Sequence, residues 1–163
     1  MVDFTGGTWR SLIDGSEVGA IPDSVVSRPD DDSTTSFIVD AGIEIQVKSN
    51  WPSIGARVSN NSSGTTRAYL LDADDGSLID DVDISELSSG DAFTFKDVGL
   101  QDGEKYFITL DAEGSSYTLG FAEDEENYPY TSDDVDITDR VEDGSVKSGQ
   151  IWAINDVGNV GFD

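Results

Sequence analysis

Residues 67–80, with the sequence RAYLLDADDGSLID, place an Asp-Gly pair, Asp75-Gly76, between two apolar runs. An Asp-Gly pair in this position is the strongest short-range signal for a β-hairpin, because both residues accept the backbone angles of a tight turn. We therefore predict two antiparallel strands joined at this turn. Similar patterns extend through most of the chain.

Short alternating or apolar runs recur about every twelve residues on both sides of the hairpin. Gly, Asp and Ser turns bound the runs, and no window of about 11 residues has a helical period. The sequence therefore predicts an all-β fold, an antiparallel β-sandwich. We predict a jelly-roll-like connection of the strands, because the Cys-Trp-Cys signature of immunoglobulin domains is missing. Besides the hairpin, the predicted strands cover residues 36–39, 43–47, 53–58, 92–95, 105–110, 117–121, 135–137, 151–154 and 157–161.

The first 35 residues have a different character. Their apolar residues are isolated in a frame of Gly, Pro and Asp without a sustained period. We predict an extended N-terminal arm and linker at residues 1–35, followed by a β-sandwich domain at residues 36–163. Such an arm becomes ordered by docking, either on its own domain or on a neighbouring subunit. The predicted docking residues are Trp9, Leu12, Ile13 and Ile21.

The acidic composition indicates where the protein works. The chain has 34 acidic and 9 basic residues, a formal charge of -25, and 25 of the acidic residues are Asp. In molar salt the Debye length falls to about 3 Å, so neighbouring carboxylates repel one another little. The composition therefore predicts a halophilic, high-salt environment. Nucleic acid and anionic membranes are disfavoured as partners, because phosphate binding requires clustered basic residues and those of this chain are scattered.

Two residue types that carry much of enzyme chemistry are missing, since the chain contains neither His nor Cys. Their absence removes disulfides, the common zinc ligands, and the Ser/His and Cys/His nucleophile pairs. Catalysis would depend on carboxylates alone, and among 34 acidic residues no pair stands out. We therefore predict a protein that is not an enzyme, with a carboxylate-only hydrolase as a less favoured alternative. The sequence also lacks an apolar membrane span and a standard signal peptide, so we expect no membrane insertion.

Acidic clusters raise the question of a metal ion. Residues 72–76, DADDG, look like the start of an EF-hand calcium loop, but Gly76 comes one position early and strands flank the segment. Carboxylate oxygens suit Ca²⁺ or Mg²⁺, yet acidic runs are commonplace on a halophilic surface. We predict no metal or other cofactor. The weak metal candidates are Asp124, Glu126 and Asp133.

The most distinctive short stretch is Asn127-Tyr128-Pro129-Tyr130-Thr131. Two aromatic rings around a Pro, beside polar groups, can stack on the face of a sugar or bind a partner protein. In the alternative interpretation, one or both Tyr side chains fold back over the edge of the sheet. The predicted ligand-binding residues are Tyr128, Tyr130 and Asn127.

Several stretches resemble virion-associated proteins of haloarchaeal tailed viruses and their proviruses. They are residues 8–18 with 20–24, residues 51–59 with 66–70, and the tract 127–131. The resemblance covers most of the chain. It implies a non-enzymatic structural component of the particle, such as a tail fibre, a tail-tip protein or a capsid-surface (turret) protein, and it carries over no functional residue.

A virion component of this kind has defined partners and a defined location. It is expected to assemble in the host cytoplasm at high salt, to form a homo-oligomer, and to contact other virion proteins. Its outward loops would contact a host surface glycan or S-layer protein, with avidity from symmetric repetition. The alternative function is a carbohydrate-binding module of a halophilic cell-surface protein. That alternative predicts glycan binding by the isolated domain.

Overall fold

The computed structural model describes residues 2–5, 8–11, 26–27, 33–58, 63–88, 91–122, 128–146, 153–154 and 157–161. Every regular element in these residues is a β-strand and every strand pair is antiparallel, which confirms the predicted all-β class. Within these ranges no helix is long and apolar enough to span a membrane. The strands are β1 (Val2–Thr5), β2 (Thr8–Ser11), β3 (Val26–Ser27), β4 (Ser33–Phe37), β5 (Ala41–Val47), β6 (Ile54–Val58), β7 (Arg67–Asp72), β8 (Leu78–Asp83), β9 (Ala92–Phe95), β10 (Lys105–Asp111), β11 (Tyr117–Ala122), β12 (Val135–Glu142), β13 (Ser145–Val146), β14 (Ala153–Ile154) and β15 (Val157–Gly161).

The largest sheet has six strands in the order β13-β12-β5-β10-β7-β8. Its centre is the β5-β10-β7 group, in which Ile108 of β10 lies opposite Ile43 of β5 on one side and Leu70 of β7 on the other. Residues directly opposite each other point to the same face of a sheet, so these three side chains share a face. All three are fully buried, and this face is therefore the core face.

The predicted hairpin is confirmed as β7 and β8, paired through the turn at Asp75-Gly76. The amide of Asp72 donates to the carbonyl of Ser77, and the amide of Gly76 donates to the carbonyl of Asp72, both at 2.9 Å. One carboxylate oxygen of Asp72 accepts from the amide of Asp74 at 2.8 Å. The first carboxylate of the DADDG stretch thus stabilises the turn, which is the role that the sequence favoured over an EF-hand loop.

Two smaller sheets pack against the core face. One contains three strands in the order β14-β11-β4, and the other contains four in the order β3-β15-β6-β9. Ile54 and Phe95 of the four-stranded sheet and Leu119 of the three-stranded sheet belong to the same buried cluster as the core face of the largest sheet. A single core between layers of sheet is a sandwich-like arrangement. The jelly-roll connection of the strands stays a prediction.

The N-terminal 35 residues contain more structure than their sequence pattern indicates. β1 and β2 form a separate two-stranded sheet, and β3 pairs with β15. The predicted boundary at residue 35 falls inside β4, which begins at Ser33. The sequence Ser-Thr-Thr-Ser at residues 33–36 contains no large apolar residue, so it shows no alternation from which its strand could have been recognised.

The outer face of the six-stranded sheet carries a buried charge. Glu44 of β5 is only 6% exposed, and its carboxylate accepts from the ammonium of Lys105 and from the hydroxyl of Thr138, each at 2.7 Å. These bonds join β5 to both of its neighbours, β10 and β12. Hydrogen bonds of this kind offset the cost of removing a carboxylate from water.

β8 forms one edge of the six-stranded sheet, and its sequence is strongly acidic. Asp81 of β8 lies opposite Tyr69 and is bonded to Arg67 of β7, which also reaches Glu113 at 3.1 Å. The other carboxylates of the strand are Asp80 and Asp83.

Candidate functional site

The predicted ligand-binding segment lies beside the six-stranded sheet. Tyr130 exchanges two backbone hydrogen bonds with Ile137 of β12, both at 2.9 Å, and so extends the sheet by one residue at that edge. The loop back to β12 is held by Ser132, whose hydroxyl donates to the carbonyl of Val135 at 2.6 Å. Lys48 fixes the same loop through the carbonyl of Ser132 at 2.6 Å and the carboxylate of Asp136 at 2.7 Å.

The two tyrosine rings contact each other at this edge. Their centroids are 5.3 Å apart with an interplanar angle of 79°, an edge-to-face arrangement. Tyr128 and Tyr130 are both half-buried and pack against the main core, and both hydroxyl oxygens are buried. Pro129 between them is exposed, and the Tyr128–Pro129 peptide bond is cis. This geometry favours the interpretation in which the tyrosines cover the sheet edge, and a sugar-stacking role stays a prediction.

Arg140 of β12 lies close to this pair and was not singled out from the sequence. It is only 4% exposed, and its guanidinium approaches the carboxylate of Glu142 at 4.0 Å. Burial lowers the pKa of Arg140, while the neighbouring Glu142, Tyr128 and Asp139 oppose that shift. Because a guanidinium stays charged in proteins, a fixed positive charge lies near Tyr128. Because its side chain is enclosed, Arg140 is better placed to position Tyr128 and Glu142 than to bind a free ligand.

An irregularity in β12 explains why Arg140 is buried. The register between β12 and β5 shifts between Ile137 and Asp139, so that Thr138 is an extra residue. A β-bulge of this type moves all later residues to the opposite face. Arg140 therefore lies opposite Ile43, a core-face residue, and simple alternation from Ile137 would not place it there.

A second group of ionisable side chains surrounds Asp40, directly before β5. Burial raises the pKa of the Asp40 carboxyl, the hydroxyl of Thr109 opposes the shift, and the carboxylates of Asp143 and Asp111 add to it. The amide of Asp143 donates to the carbonyl of Asp40 at 2.8 Å, which holds the two residues side by side. The structure thus brings together three carboxyl groups that are far apart in sequence.

The structure describes two of the remaining predicted site residues. Asp133 is exposed in the loop before β12. Trp9 lies in β2, opposite Phe4 of β1. Across the described ranges, no three acidic side chains form a group that could hold a metal ion, the Asp40 group included. The other predicted residues lie outside the described part of the chain: Leu12, Ile13, Ile21, Asp124, Glu126 and Asn127.

Comparison of the chain with protein-family models, with curated proteins and with solved structures gives no match.

Proposed function

We propose that this chain is a non-enzymatic structural component of a haloarchaeal tailed virus particle, of the tail-fibre, tail-tip or capsid-surface type. Its sandwich-like body would be held on the particle by the N-terminal segment. Assembly would take place in the host cytoplasm at high salt, without a metal ion or other cofactor. Other virion proteins would be the partners, and outward loops would reach a host surface glycan or S-layer protein.

The observation that carries the proposal is the β1-β2 hairpin. Neither strand pairs with any other described strand, although β3, only fifteen residues further along the chain, is part of the four-stranded sheet. A two-stranded hairpin alone is marginally stable in water, so this element requires a surface on which to dock. An external docking surface, such as a neighbouring particle protein, meets that requirement.

The charge of the hairpin supports the same proposal. Asp3 lies opposite Arg10 in the register, and the two strands carry no other charged residue. The hairpin is therefore neutral, whereas the whole chain carries a formal charge of -25. Opposite charges at facing positions of a hairpin also stabilise the pairing by about 0.2–1 kcal/mol. A neutral element can approach another acidic protein without strong repulsion.

The alternative function, a carbohydrate-binding module, places the sugar on Tyr128 and Tyr130. Sugar stacking uses an open aromatic face. The two hydroxyl oxygens are buried and the rings pack edge to face on each other, an arrangement better suited to closing the sheet edge. The geometry at this segment therefore supports the structural function better than the alternative.

Incorporation into particles tests the proposal. A chain that lacks residues 1–25 keeps β3 and the whole of the body, and we expect it to fold but to be lost from purified particles. A matched variant, Trp9→Ala with Phe4→Ala, changes only the two facing aromatic positions of the hairpin. We expect its incorporation to fall at least about tenfold, the effect of about 1.4 kcal/mol of lost docking free energy. Wild-type incorporation of the truncated chain would refute anchoring through the N-terminal segment.

A further inference from the structure

One edge of the three-stranded sheet is open within the described part of the chain. β4 forms this edge and pairs there with β11 alone. Its side chains alternate, with Thr34 and Ser36 exposed and with Thr35 and Phe37 partly buried. Phe37 packs against the core and its ring lies 6.0 Å from that of Tyr117. Among the described strands, β4 is thus paired on one side only.

The hydrogen bonds of β11 show which backbone groups of β4 face the open side. Thr118 of β11 exchanges backbone bonds with Ser63, at 2.9 and 3.0 Å, on the side away from β4. In antiparallel sheets the backbone N–H and C=O groups of successive residues point to alternate sides of the strand. The backbone groups of Leu119 therefore point toward β4 and bond with those of its partner Thr35. The N–H and C=O groups of Thr34 and Ser36 therefore point to the open edge.

β4 is the longest uncharged edge strand among the described strands. Its residues are Ser-Thr-Thr-Ser-Phe, whereas the edge strand β8 carries three Asp. β9, with four residues, is also uncharged, but it lies against β8. Edge strands that avoid association are usually blocked by charges or proline. Within the described residues, the open side of β4 carries neither kind of block, which favours association.

We propose that β4 pairs with β4 of a second copy of this chain, antiparallel and centred on Thr35. A two-fold axis perpendicular to the sheet places Thr35 opposite Thr35 of the partner, and Thr34 opposite Ser36 of the partner. Both outward-facing residues of each copy are then used, which gives four hydrogen bonds between the copies. The two three-stranded sheets join into one sheet of six strands. A self-complementary patch of this kind is what an isologous dimer requires.

The antiparallel direction also suits the sequence before the strand. Three consecutive Asp residues, 30–32, directly precede Ser33. In the centred antiparallel register, Ser33 of one copy lies four residue positions from Ser33 of the other, or roughly 13 Å along the strands. This distance exceeds the Debye length of about 8–10 Å at ordinary ionic strength. Parallel pairing would place the two acidic runs side by side.

The expected strength of the dimer follows from its size and charge. Five residues from each copy bury little surface compared with the roughly 1,600 Å² of a standard interface, so the dimer should dissociate on dilution. Each copy carries a formal charge of -25, so association should strengthen as salt screens the repulsion. The proposed dimer does not depend on the virion proposal, although a particle with many copies of the chain would bring such edges together.

Disulfide cross-linking tests the register, because the chain contains no Cys of its own. Thr35→Cys places two thiols at facing, non-hydrogen-bonded positions with Cα atoms about 4.5 Å apart, within disulfide range. Thr34→Cys is the matched control, since in the same register its two copies are offset by two residues and lie about 8 Å apart, beyond that range. We expect Thr35→Cys to form a dimer at least about tenfold faster than Thr34→Cys during mild oxidation in molar KCl. Equal rates would overturn the proposal.

Analytical ultracentrifugation of the purified full chain tests the dimer itself. We expect the wild type in molar KCl to shift from monomer to dimer as protein concentration rises. Thr34→Pro removes an N–H group that faces the open edge and leaves the bonds to β11 intact, so it should abolish the dimer with little change in melting temperature. A wild type that remains monomeric up to millimolar concentration would overturn the proposal. Because particles are absent from both experiments, failure here leaves the virion proposal standing.

Discussion

Asp40 and Asp75 show how the same side chain responds in opposite ways to two environments. Burial raises the pKa of Asp40, and the neighbouring carboxylates of Asp143 and Asp111 act in the same direction. Asp75, in the exposed hairpin turn, accepts hydrogen bonds from the side chain and backbone of Ser77, which lower its pKa. Charge is thus unfavourable at the first position and favourable at the second. The acidic composition does not distinguish these two cases.

Replacement of Asp40 by Asn should stabilise the protein at neutral pH. A carboxyl whose folded-state pKa is raised stabilises the fold only while it is protonated, so its contribution is lost as the pH rises from the ordinary value of 3.8 through the raised pKa. Asn is uncharged at every pH. We expect Asp40→Asn to raise the free energy of unfolding by about 0.5–1 kcal/mol at pH 7, with the gain shrinking as the pH falls toward 4.

Urea denaturation in molar KCl at a series of pH values measures this gain. The matched control is Asp133→Asn, which removes the same charge from an exposed position. It should change stability little at any pH. If both variants gave the same pH-dependent gain, the effect would come from net charge and the local explanation for Asp40 would be wrong.

The orientation and burial of several side chains could not be predicted from the sequence. Tyr128 and Tyr130 were recognised from their spacing around a Pro, but whether their rings stack outward or pack inward depends on tertiary contacts. Arg140 could not be recognised as buried, because its position depends on the extra residue Thr138 in β12. The Asp40 group could not be predicted either, because its three carboxyl groups meet only after β5, β10 and β12 have paired.

Among the described glycines, Gly42 of β5 lies closest to a neighbouring backbone, that of β10. A Cβ atom added at Gly42 would lie 2.0 Å from the carbonyl oxygen of Ile108 and 2.8 Å from the Cα atom of Thr109. Both obstacles are backbone atoms of a central strand, which cannot move without breaking its pairing with β7. Gly in the interior of a strand often marks such an approach.

Replacement of Gly42 by Ala should therefore disrupt the centre of the six-stranded sheet. We expect Gly42→Ala to lower the free energy of unfolding by about 3 kcal/mol or more, as overpacking against an immobile neighbour does. Gly103→Ala is a suitable control, because its φ is 83° but nothing lies within 4 Å of the added atom. Backbone strain alone should cost about 1–2 kcal/mol there. Equal losses in denaturation experiments would show that the approach at Gly42 relaxes easily.

Strands with clear alternation or strong turns were predicted well. The β7-β8 hairpin was recognised from Asp75-Gly76, and β9, β10 and β11 lie close to their predicted ranges. β1, β2 and β3 were missed because they are short and lie in a segment whose isolated apolar residues, among Gly, Pro and Asp, show no sustained period. Of the predicted strand at 151–154, the structure describes β14, and Trp152 lies outside the described residues.

For the whole molecule, the main question is what holds a highly charged chain in a compact state. The buried cluster contains apolar side chains from all three larger sheets, while the carboxylates described at the turns and on β8 are mostly exposed. Mutual repulsion of these charges opposes folding at low ionic strength. Screening removes that opposition, and salts that strengthen the hydrophobic effect add to the stability of the core.

Stability should accordingly rise with salt concentration. Between 0.2 and 3 M KCl we expect a gain of about 3 kcal/mol, equivalent to roughly 10 °C in melting temperature for a chain of this size. A variant with Glu86→Gln, Asp102→Asn, Glu104→Gln and Asp133→Asn, all at exposed positions, should show a smaller gain. Calorimetry of both proteins over the salt series provides the measurement. A melting temperature that stays constant over this range would contradict the screening argument.

The carboxylates of β8 also affect how molecules of this protein associate at high protein and salt concentrations. Screening shortens the range of repulsion to about 3 Å in molar salt, so charge no longer keeps molecules apart at a distance. Strand-to-strand stacking at β8 would still require Asp80, Asp81 and Asp83 to lose hydration water, and that desolvation cost persists in salt. We therefore expect the acidic edge to oppose amyloid-like aggregation in molar salt, where long-range electrostatic repulsion no longer protects the protein.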